Sequence, residues 1–277
     1  MKSIYVIVLS CLASISLLSC QSGPAHTGIV PLCRAHSHND YKHSRPLADA
    51  LARGFTSVEA DIFLIDGELY VAHALREITP QTTLRSLYLE PLRKRITRNG
   101  GRVYPDGPLF TLLIDVKSAA VPTYEVLDRI LAEYQDIFTS YSVDGRDDKA
   151  ILAVVSGNRA RAFMESQEIR FAAYDGRLAD LESDAPADFI PLISDNWTRH
   201  FAWKGIGEMP AKEQRKLSRI VQTVHQKGRR IRFWGTPDSP SAARQALWRE
   251  LILAGVDLIN TDDLDGLQQF LLTDQAR

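Results

Sequence analysis

Short apolar runs recur along the whole chain, and the segments between them carry helical patterns. This alternation constrains the fold more than any other feature. Several runs are apolar on consecutive residues, as is typical of parallel strands buried on both faces. The pattern predicts eight strands and a short extra one, at residues 30–35, 57–64, 109–117, 150–156, 171–174, 189–194, 230–235, 256–260 and 69–72.

The intervening helices are amphipathic. In residues 211–227, Leu217, Ile220, Val221 and Val224 recur at intervals of three and four, which marks one buried face. Other helices are predicted at 46–53, 84–98, 122–138 and 241–254. Eight strands separated by helices predict a single-domain α/β fold, the (β/α)8 TIM barrel. A doubly wound open sheet is the main alternative, but its glycine-rich phosphate loop is missing.

The charges nearly cancel, with 33 Lys+Arg against 34 Asp+Glu and a formal net charge of −1. Because no basic excess is present to neutralise phosphates, a nucleic-acid binder is not expected. The length and the 45% of hydrophobic residues suit a packed core, and we expect a monomer.

The N-terminal residues have the pattern of a targeting segment. Lys2 precedes an apolar run over 4–18 that is too short to span a membrane comfortably, so a signal peptide is predicted at 1–19. The run ends in Leu-Leu-Ser-Cys and resembles the lipobox of bacterial lipoproteins. That resemblance implies a lipidated Cys20, whereas a plain signal peptide is the alternative.

A lipid on Cys20 would hold residues 20–29 as a tether and residues 30–273 as the barrel domain. The expected location is extracytoplasmic, with the chain anchored to the periplasmic or surface side of a bacterial membrane. With Cys11 removed and Cys20 modified, Cys33 would have no partner, and no internal disulfide is expected.

Polar residues collect at the ends of the predicted strands, where barrel enzymes carry their chemistry. They are His36, His38, Asn39 and Asp40 after the first strand, Glu59 and Asp61 on the second, His73, Asp115 and Lys117, Trp197, Trp234 and Asn260.

Glu59 and Asp61 are the most informative pair. Residues two apart on a strand point to the same face, and adjacent carboxylates need a cation or a shared proton to coexist. Asp115 could add a third oxygen ligand. Such a set suits one divalent cation, Mg²⁺ or Ca²⁺, rather than Zn²⁺. Scattered acids on a surface strand are the alternative, which the apolar neighbours Val58 and Ala60 disfavour.

Histidines near such a site could transfer protons. His36 and His73 could act as general base and general acid across a phosphodiester. Lys117 would add positive charge as negative charge builds on phosphorus.

The motifs AHSHNDY, SVEAD, VAH and LLIDVK, in this order, resemble the superfamily of glycerophosphodiester phosphodiesterases and phosphatidylinositol-specific phospholipase C. The segments RPLADAL, GFTSVEADIFL, RFWGTPD and GVDLINTDDL resemble its altered-inheritance-of-mitochondria branch. The resemblance spans residues 30–270 and implies a barrel, a divalent metal, two catalytic histidines and a phosphodiester or phospholipid-derived substrate.

Carried over by position, the resemblance implies that Glu59, Asp61 and Asp115 bind the metal. It implies that His36 and His73 are catalytic, with His38 an alternative for the first role. The sequence departs from the usual pattern in three places. The HRG start is absent, Ala74 stands where an aspartate is common, and an aspartate replaces the usual glutamate at 115. These changes leave the substrate open.

Further substrate contacts are expected from Asn39, Asp40, Trp197, Trp234 and Asn260, although the two tryptophans suit core packing equally well. Asp262 suits a helix N-cap better than a substrate contact.

Two other functions fit parts of the sequence. An amidohydrolase-like hydrolase would bind Zn²⁺ through His36 and His38, but no histidines follow strands five and six. A lipid-anchored binding protein on a catalytically inactive barrel is the other alternative.

Overall fold

Residues 28–274 are the described part of the computed structural model. The strands are β1 Leu32–Ser37, β2 Phe55–Ile65, β3 Glu68–Val71, β4 Phe110–Val116, β5 Ser140–Ser142, β6 Gly145–Asp147, β7 Ile151–Gly157, β8 Ile169–Arg170, β9 Ala172–Gly176, β10 Leu192–Asn196, β11 Arg230–Trp234 and β12 Leu258–Thr261. The helices are α1 Ala48–Ala52, α2 Glu90–Arg98, α3 Ala120–Ala132, α4 Arg161–Ser166, α5 Trp197–His200, α6 Ala211–Gln226, α7 Ala242–Leu253 and α8 Leu264–Asp274.

Eight parallel strands close into a barrel in the order β1-β2-β4-β7-β9-β10-β11-β12, and β12 pairs with β1 again. The β3 strand runs antiparallel to the end of β2. A separate three-stranded sheet is formed by β5, β6 and β8. The predicted single-domain (β/α)8 TIM barrel is confirmed.

Two apolar layers hold the barrel together. The larger layer lies between strands and helices and includes Val58, Ala60 and Ile62 of β2. The smaller layer fills the inside of the barrel with Leu113, Leu152, Val154, Ala173, Leu192 and Leu258, together with Tyr141. Glu59 and Asp61 alternate with the apolar residues of β2 and therefore point into the barrel.

All eight predicted barrel strands exist, but some bounds differ. The β1 strand begins and ends two residues later than predicted, so His36 lies on the strand and not after it. The α3 helix ends at Ala132 and not at residue 138, because turns with hydrogen bonds between residues three apart follow it. The β5–β6 hairpin and α8 were not predicted.

The predicted signal peptide, Cys20 and most of the tether lie outside the described residues. Cys33 forms a disulfide bond in the structure, whereas the absence of an internal disulfide is the prediction for a mature chain that has lost Cys11 and carries a modified Cys20. In residues 28–274, no helix combines the length and the apolar character that a membrane crossing requires.

Candidate metal and acid–base site

Three carboxylates converge at the mouth of the barrel. Asp61 on β2 and Asp115 on β4 are paired in register, and Glu59 lies two residues before Asp61. One ligand oxygen from each lies within 4.8 Å of the others. Glu59 and Asp61 are buried, with 4% and 1% exposure. The structure therefore brings together the three predicted metal ligands.

Two oxygen atoms in this cluster have no hydrogen-bond donor among the described residues. They are Asp61 Oδ1 and Asp115 Oδ1, and both are buried. A buried carboxylate oxygen without a partner is costly unless a cation or proton satisfies it. Burial and the charge of Glu59 raise the pKa of Asp61, and burial followed by the same charge raises the pKa of Asp115. This donor set fits a hard divalent cation.

Lys117 lies beside the same two aspartates. Its Nζ is 3.1 Å from Asp61 Oδ2 and 3.0 Å from Asp115 Oδ2. Although burial alone would lower it, the pKa of Lys117 is raised by these two charges. Lys117 stays charged and leaves the Oδ1 atoms of both aspartates unpaired.

Arg232 reaches the cluster from the opposite wall. Its Nη1 donates to Glu59 Oε2 at 2.7 Å and to Asn260 Oδ1 at 3.1 Å, and it also contacts His36 Nε2. Both partners of the Arg232–Glu59 pair are buried. Burial would raise the pKa of Glu59, but the charge of Arg232 holds it well below its usual range.

His36 is completely buried with both ring nitrogens engaged. Nδ1 lies 2.7 Å from Ser57 Oγ, and Nε2 faces Arg232 and Glu59. Burial and the Arg232 charge lower the pKa of His36 to about 3. The ring is therefore neutral and accepts from Arg232 through Nε2, which leaves Nδ1–H to donate to Ser57.

His38 has a different environment. Its Nδ1 lies 2.7 Å from Asp262 Oδ1, and its Nε2 lies 4.0 Å from Glu59 Oε1. The side chain is 29% exposed. Burial opposes the charged form, but the Asp262 hydrogen bond and the Glu59 charge outweigh it and raise the pKa of His38.

His73 lies on the other side of the carboxylates. Its Nδ1 is 3.3 Å from Asp61 Oδ2 and 3.2 Å from the Tyr41 hydroxyl, and half of its side chain is exposed. Tyr41 donates to Asp61 Oδ2 at 2.7 Å, and burial together with that carboxylate raises the pKa of Tyr41. The imidazoles of His38 and His73 thus flank the cluster.

Of the five predicted substrate contacts, Asn39, Asn260 and Trp234 lie at the ends of barrel strands or on the loops after them, whereas Asp40 and Trp197 are enclosed. Asn39 lies in the site, where Nδ2 is 3.3 Å from Asp262 Oδ1 and Oδ1 lies 2.8 Å from the Tyr41 hydroxyl oxygen. Asn260 holds Arg232. Trp234 ends β11 and is half-buried.

Two of those predictions need correction. Asp40 is completely buried, and its oxygens accept from Ser37, Leu47 and Tyr88, so this carboxylate fastens the first loop and does not reach open space. Trp197 is also completely buried. It stacks on Phe201 with ring centroids 4.1 Å apart. The large apolar ring therefore belongs to the core and does not contact substrate.

The site contains three residues whose roles were not recognised in the sequence. Arg232 and Tyr41 stand in the RFWGTPD and HSHNDY motifs, so the motifs marked them without revealing their contacts. Asp262 was interpreted as a helix cap, but the neighbouring Asp263 accepts from Gly266 N at the start of α8. Asp262 instead holds His38.

A zinc site on His36 and His38 is not assembled. Within residues 28–274, Glu59, Asp61 and Asp115 form the one group of three or more potential ligands close enough to share an ion. His36 Nε2 is covered by Arg232, which keeps a metal away from it.

Two family models match the chain. Residues 25–175 match the AIM6-like phosphodiesterase domain, and residues 230–265 match the glycerophosphoryl diester phosphodiesterase family. The first match covers the cluster of carboxylates and its histidines, whereas the second covers Arg232, Asn260 and Asp262.

Similar curated proteins are fungal. Altered inheritance of mitochondria protein 6 of Eremothecium gossypii is 30% identical over 283 residues, which cover 86% of this chain and 69% of that protein. The altered inheritance of mitochondria protein 6 homolog of Arthroderma benhamiae is 28% identical over 273 residues, which cover 88% of this chain and 85% of that protein.

Two solved structures from Parabacteroides distasonis share the fold. A glycerophosphodiester phosphodiesterase gives a TM-score of 0.51 at 16% identity, covering 88% of this chain and 98% of that one. A glycerophosphoryl diester phosphodiesterase gives 0.53 at 14% identity, covering 90% and 88%. With the family-model match over residues 25–175 and the Eremothecium relative, these findings lead to one conclusion: the chain belongs to the AIM6-like phosphodiesterase family.

Proposed function

We propose that this protein is a metal-dependent phosphodiester hydrolase that uses two histidines as acid and base. The observation that carries the proposal is the cluster of Glu59, Asp61 and Asp115, whose ligand oxygens lie within 4.8 Å of one another. Two buried oxygens of that cluster lack donors in the described part of the chain. The names of the matched family and of the fold neighbours support the same reaction class.

The three carboxylates would hold one Mg²⁺ or Ca²⁺. When bound, such an ion supplies charge that polarises the non-bridging phosphate oxygens. The protein contributes Lys117 and Arg232 as further fixed cations at the rim of the same cluster. Preorganised positive charge of this kind stabilises the extra negative charge of the transition state.

His38 is our candidate for the first proton carrier, in preference to His36. Asp262 orients the His38 ring and stabilises its protonated form, which is how a carboxylate supports a general base. His36 is enclosed and contacts Arg232, so its role in this proposal is to position Glu59 and Arg232.

In this proposal, protons pass between the substrate and the two histidines. The attacking oxygen, from water or from a substrate hydroxyl, forms a bond to phosphorus and gives its proton to His38. The bond from phosphorus to the leaving alcohol breaks, and His73 donates a proton to that alcohol. Tyr41 keeps the Nδ1 side of His73 next to Asp61.

The test is a panel of phosphodiesters assayed with Mg²⁺ and with Ca²⁺. The panel contains glycerophosphodiesters, lysophospholipids and inositol phosphodiesters. We expect turnover that EDTA abolishes and added metal restores. His38→Gln and His73→Gln should each lower kcat by on the order of 100-fold or more, while His36→Gln lowers it mainly through loss of folded protein.

His225→Gln is the matched control, because His225 also pairs with an aspartate, Asp257, at 3.0 Å but lies on α6, away from the cluster. Full turnover in the His38 and His73 variants would refute the two-histidine assignment. Ligand binding without hydrolysis at either metal would favour the inactive-barrel alternative.

We also propose that Cys20 carries a lipid that anchors the chain outside the cytoplasm. The support is the lipobox-like sequence before Cys20. A lipid thioether at Cys20 removes that sulfur from disulfide chemistry, while Cys33 is disulfide-bonded in the structure. Intact-mass measurement of membrane-extracted protein distinguishes the two states. Cleavage before Cys20 with an added lipid mass supports the anchor, and a Cys20–Cys33 disulfide refutes it.

A further inference from the structure

A stripe of basic residues runs along one face of α6. Lys212, Arg215, Lys216 and Arg219 are exposed and recur at helical spacings of three, one and three, so they share one side of the helix. In residues 28–274 no carboxylate forms an ion pair with any of the four. Four unneutralised cations on one face create a local positive potential in a chain of net charge −1.

These side chains line a groove of about 600 Å³ together with His200 and Glu213. The Glu213 carboxylate accepts from the backbone N–H groups of Ala202 and Trp203 and is a single negative charge against the four cations of the groove. Lys216 donates to His200 O at 2.7 Å, which fixes one wall of the groove. The groove is therefore a preformed cationic recess.

An exposed apolar side chain lies on the loop that precedes α6. Ile206 is 81% exposed and stands between Gly205 and Gly207, which both have positive φ. The buried Trp203 ring donates through Nε1 to Ile206 O at 3.1 Å, and Gly205 packs against the backbone of Ala243. The loop that carries Ile206 is thus held in place while its tip faces solvent.

The loop and the first turn of α6, which carries Lys212, lie near the mouth of the barrel. The loop follows β10 and α5 and leads into the first turn of α6, so it belongs to the same face as Glu59 and Asp61. Lys204 adds another exposed cation, against one exposed acid of the loop, Glu208.

We infer that Ile206 and the stripe of Lys212, Arg215, Lys216 and Arg219 form a surface that docks the barrel onto an anionic lipid bilayer. Cations beside a protruding apolar side chain are what interfacial binding requires: the charges attract acidic headgroups, and the apolar tip enters the acyl boundary. We call these five residues the α6 docking surface.

The charges around a second exposed apolar residue explain why this surface is preferred. Val143 is 94% exposed at the β5–β6 hairpin, which precedes β7 and so lies at the other end of the barrel. Asp144, Asp147 and Asp148 follow it in the sequence, and the nearby cations Arg146 and Lys149 pair with Asp148 and Asp147, so this hairpin has no positive excess to attract acidic lipid. Val143 is therefore a matched control for Ile206.

The inference stands independently of the proposed hydrolysis and of the Cys20 anchor, since bilayer binding requires neither. The test measures binding of the full chain to vesicles of phosphatidylcholine alone and of phosphatidylcholine with phosphatidylglycerol, at low and high salt. Wild type should prefer the anionic vesicles, and salt should weaken its binding.

Lys212, Arg215 and Arg219 replaced together by Gln should reduce affinity for the anionic vesicles on the order of 100-fold. Ile206→Ser should reduce it about tenfold. Thermal unfolding and turnover of a soluble phosphodiester should stay at wild-type values in both variants.

The matched controls are Lys94, Arg98 and Arg102 replaced together by Gln, and Val143→Ser. The three control cations are exposed, and replacing them changes the net charge by the same amount as the triple α6 variant. Two of them lie on α2, which leads into β4 on the side of the barrel opposite β11. Control variants that lose as much affinity as the test variants would overturn the inference. Equal binding of wild type to both vesicle types, or a recess that binds inorganic phosphate while vesicles stay unbound, would also overturn it.

Discussion

The guanidinium of Arg232 lies in the mouth of the barrel, where it contacts Glu59, His36 and Asn260. A charge this deeply buried is tolerated because Glu59 is ionised beside it and the remaining donors find acceptors. Its presence fixes His36 as a neutral acceptor and makes that ring unsuitable for proton transfer. For this reason the proposed mechanism assigns the first proton transfer to His38 and not to His36.

Replacing Arg232 tests this arrangement. Arg232→Met leaves Glu59 as an unpaired buried charge, and we expect the free energy of unfolding to fall by about 3–5 kcal/mol. Adding Glu59→Gln should restore part of the loss, because the second change removes that charge. Urea unfolding of the single and double variants measures both values. A double variant that is less stable than Arg232→Met would contradict the pairing.

The His38–Asp262 pair predicts a pH dependence of stability. The pKa of His38 is raised above its ordinary value of 6.5, so its contribution is complete below pH 6.5 and is lost as the pH rises through the folded-state value. The pKa of Asp262 is lowered from 3.8, mainly by its His38 hydrogen bond acting against burial, so its contribution is present above pH 3.8 and is lost as the pH falls.

His38→Gln should therefore lower Tm more at about pH 5.5 than at about pH 9. Thermal unfolding in EDTA at both pH values measures the difference without interference from metal. A difference between wild type and variant that is larger at the higher pH would show that the folded protein does not favour the protonated ring.

The barrel strands were predictable because parallel strands buried on both faces leave consecutive apolar residues in the sequence. The β5–β6 hairpin was missed because its two strands are short and their residues are polar and mostly exposed. The two-residue difference between the predicted and observed bounds of β1 had more consequence. Because the strand extends to Ser37, His36 lies on the strand and His38 lies on the loop after it. Apolar periodicity locates a strand but not the residue at which it ends.

The turn after β7 supports the carboxylate cluster. Gly157 has φ +67, and an added Cβ would lie 1.9 Å from Asp115 Oδ1 and 2.5 Å from Val116 O. Asp115 can occupy its position only because no side chain stands at residue 157.

Gly157→Ala should destabilise the fold by about 1–3 kcal/mol and should also weaken binding of the divalent ion. Gly100→Ala is the matched control, since Gly100 has φ +70 with no atom near its added Cβ. Chemical unfolding and metal titration of both variants separate backbone strain from the clash. Equal metal affinity in both variants would contradict a supporting role for Gly157.

Barrel closure brings together residues that are far apart in the chain. His36 and Arg232 are separated by 196 positions, and His38 and Asp262 by 224. The carboxylates could be grouped from the sequence because Glu59 and Asp61 share one strand and Asp115 lies on the next barrel strand. The contacts of Arg232 and Asp262 could not, since they depend on the closure of β12 onto β1.

The interior of the barrel has an apolar part and a charged part. Apolar side chains fill the part of the barrel that includes Leu113 and Leu152, and charged groups occupy the mouth, where the strands end. This division places a net negative cluster of three carboxylates and two fixed cations on a rigid frame, as binding of a divalent ion requires.

Calorimetric titration of Mg²⁺ and Ca²⁺ into wild type and into the Asp61→Asn, Asp115→Asn double variant tests the central claim most directly. Asp128→Asn, at a half-buried carboxylate on α3, is the control. We predict that wild type and control bind one ion per chain and that the double variant binds it at least about 100-fold more weakly, with loss of phosphodiester turnover. Equal binding by the double variant, or turnover by wild type that persists in EDTA, would contradict the account.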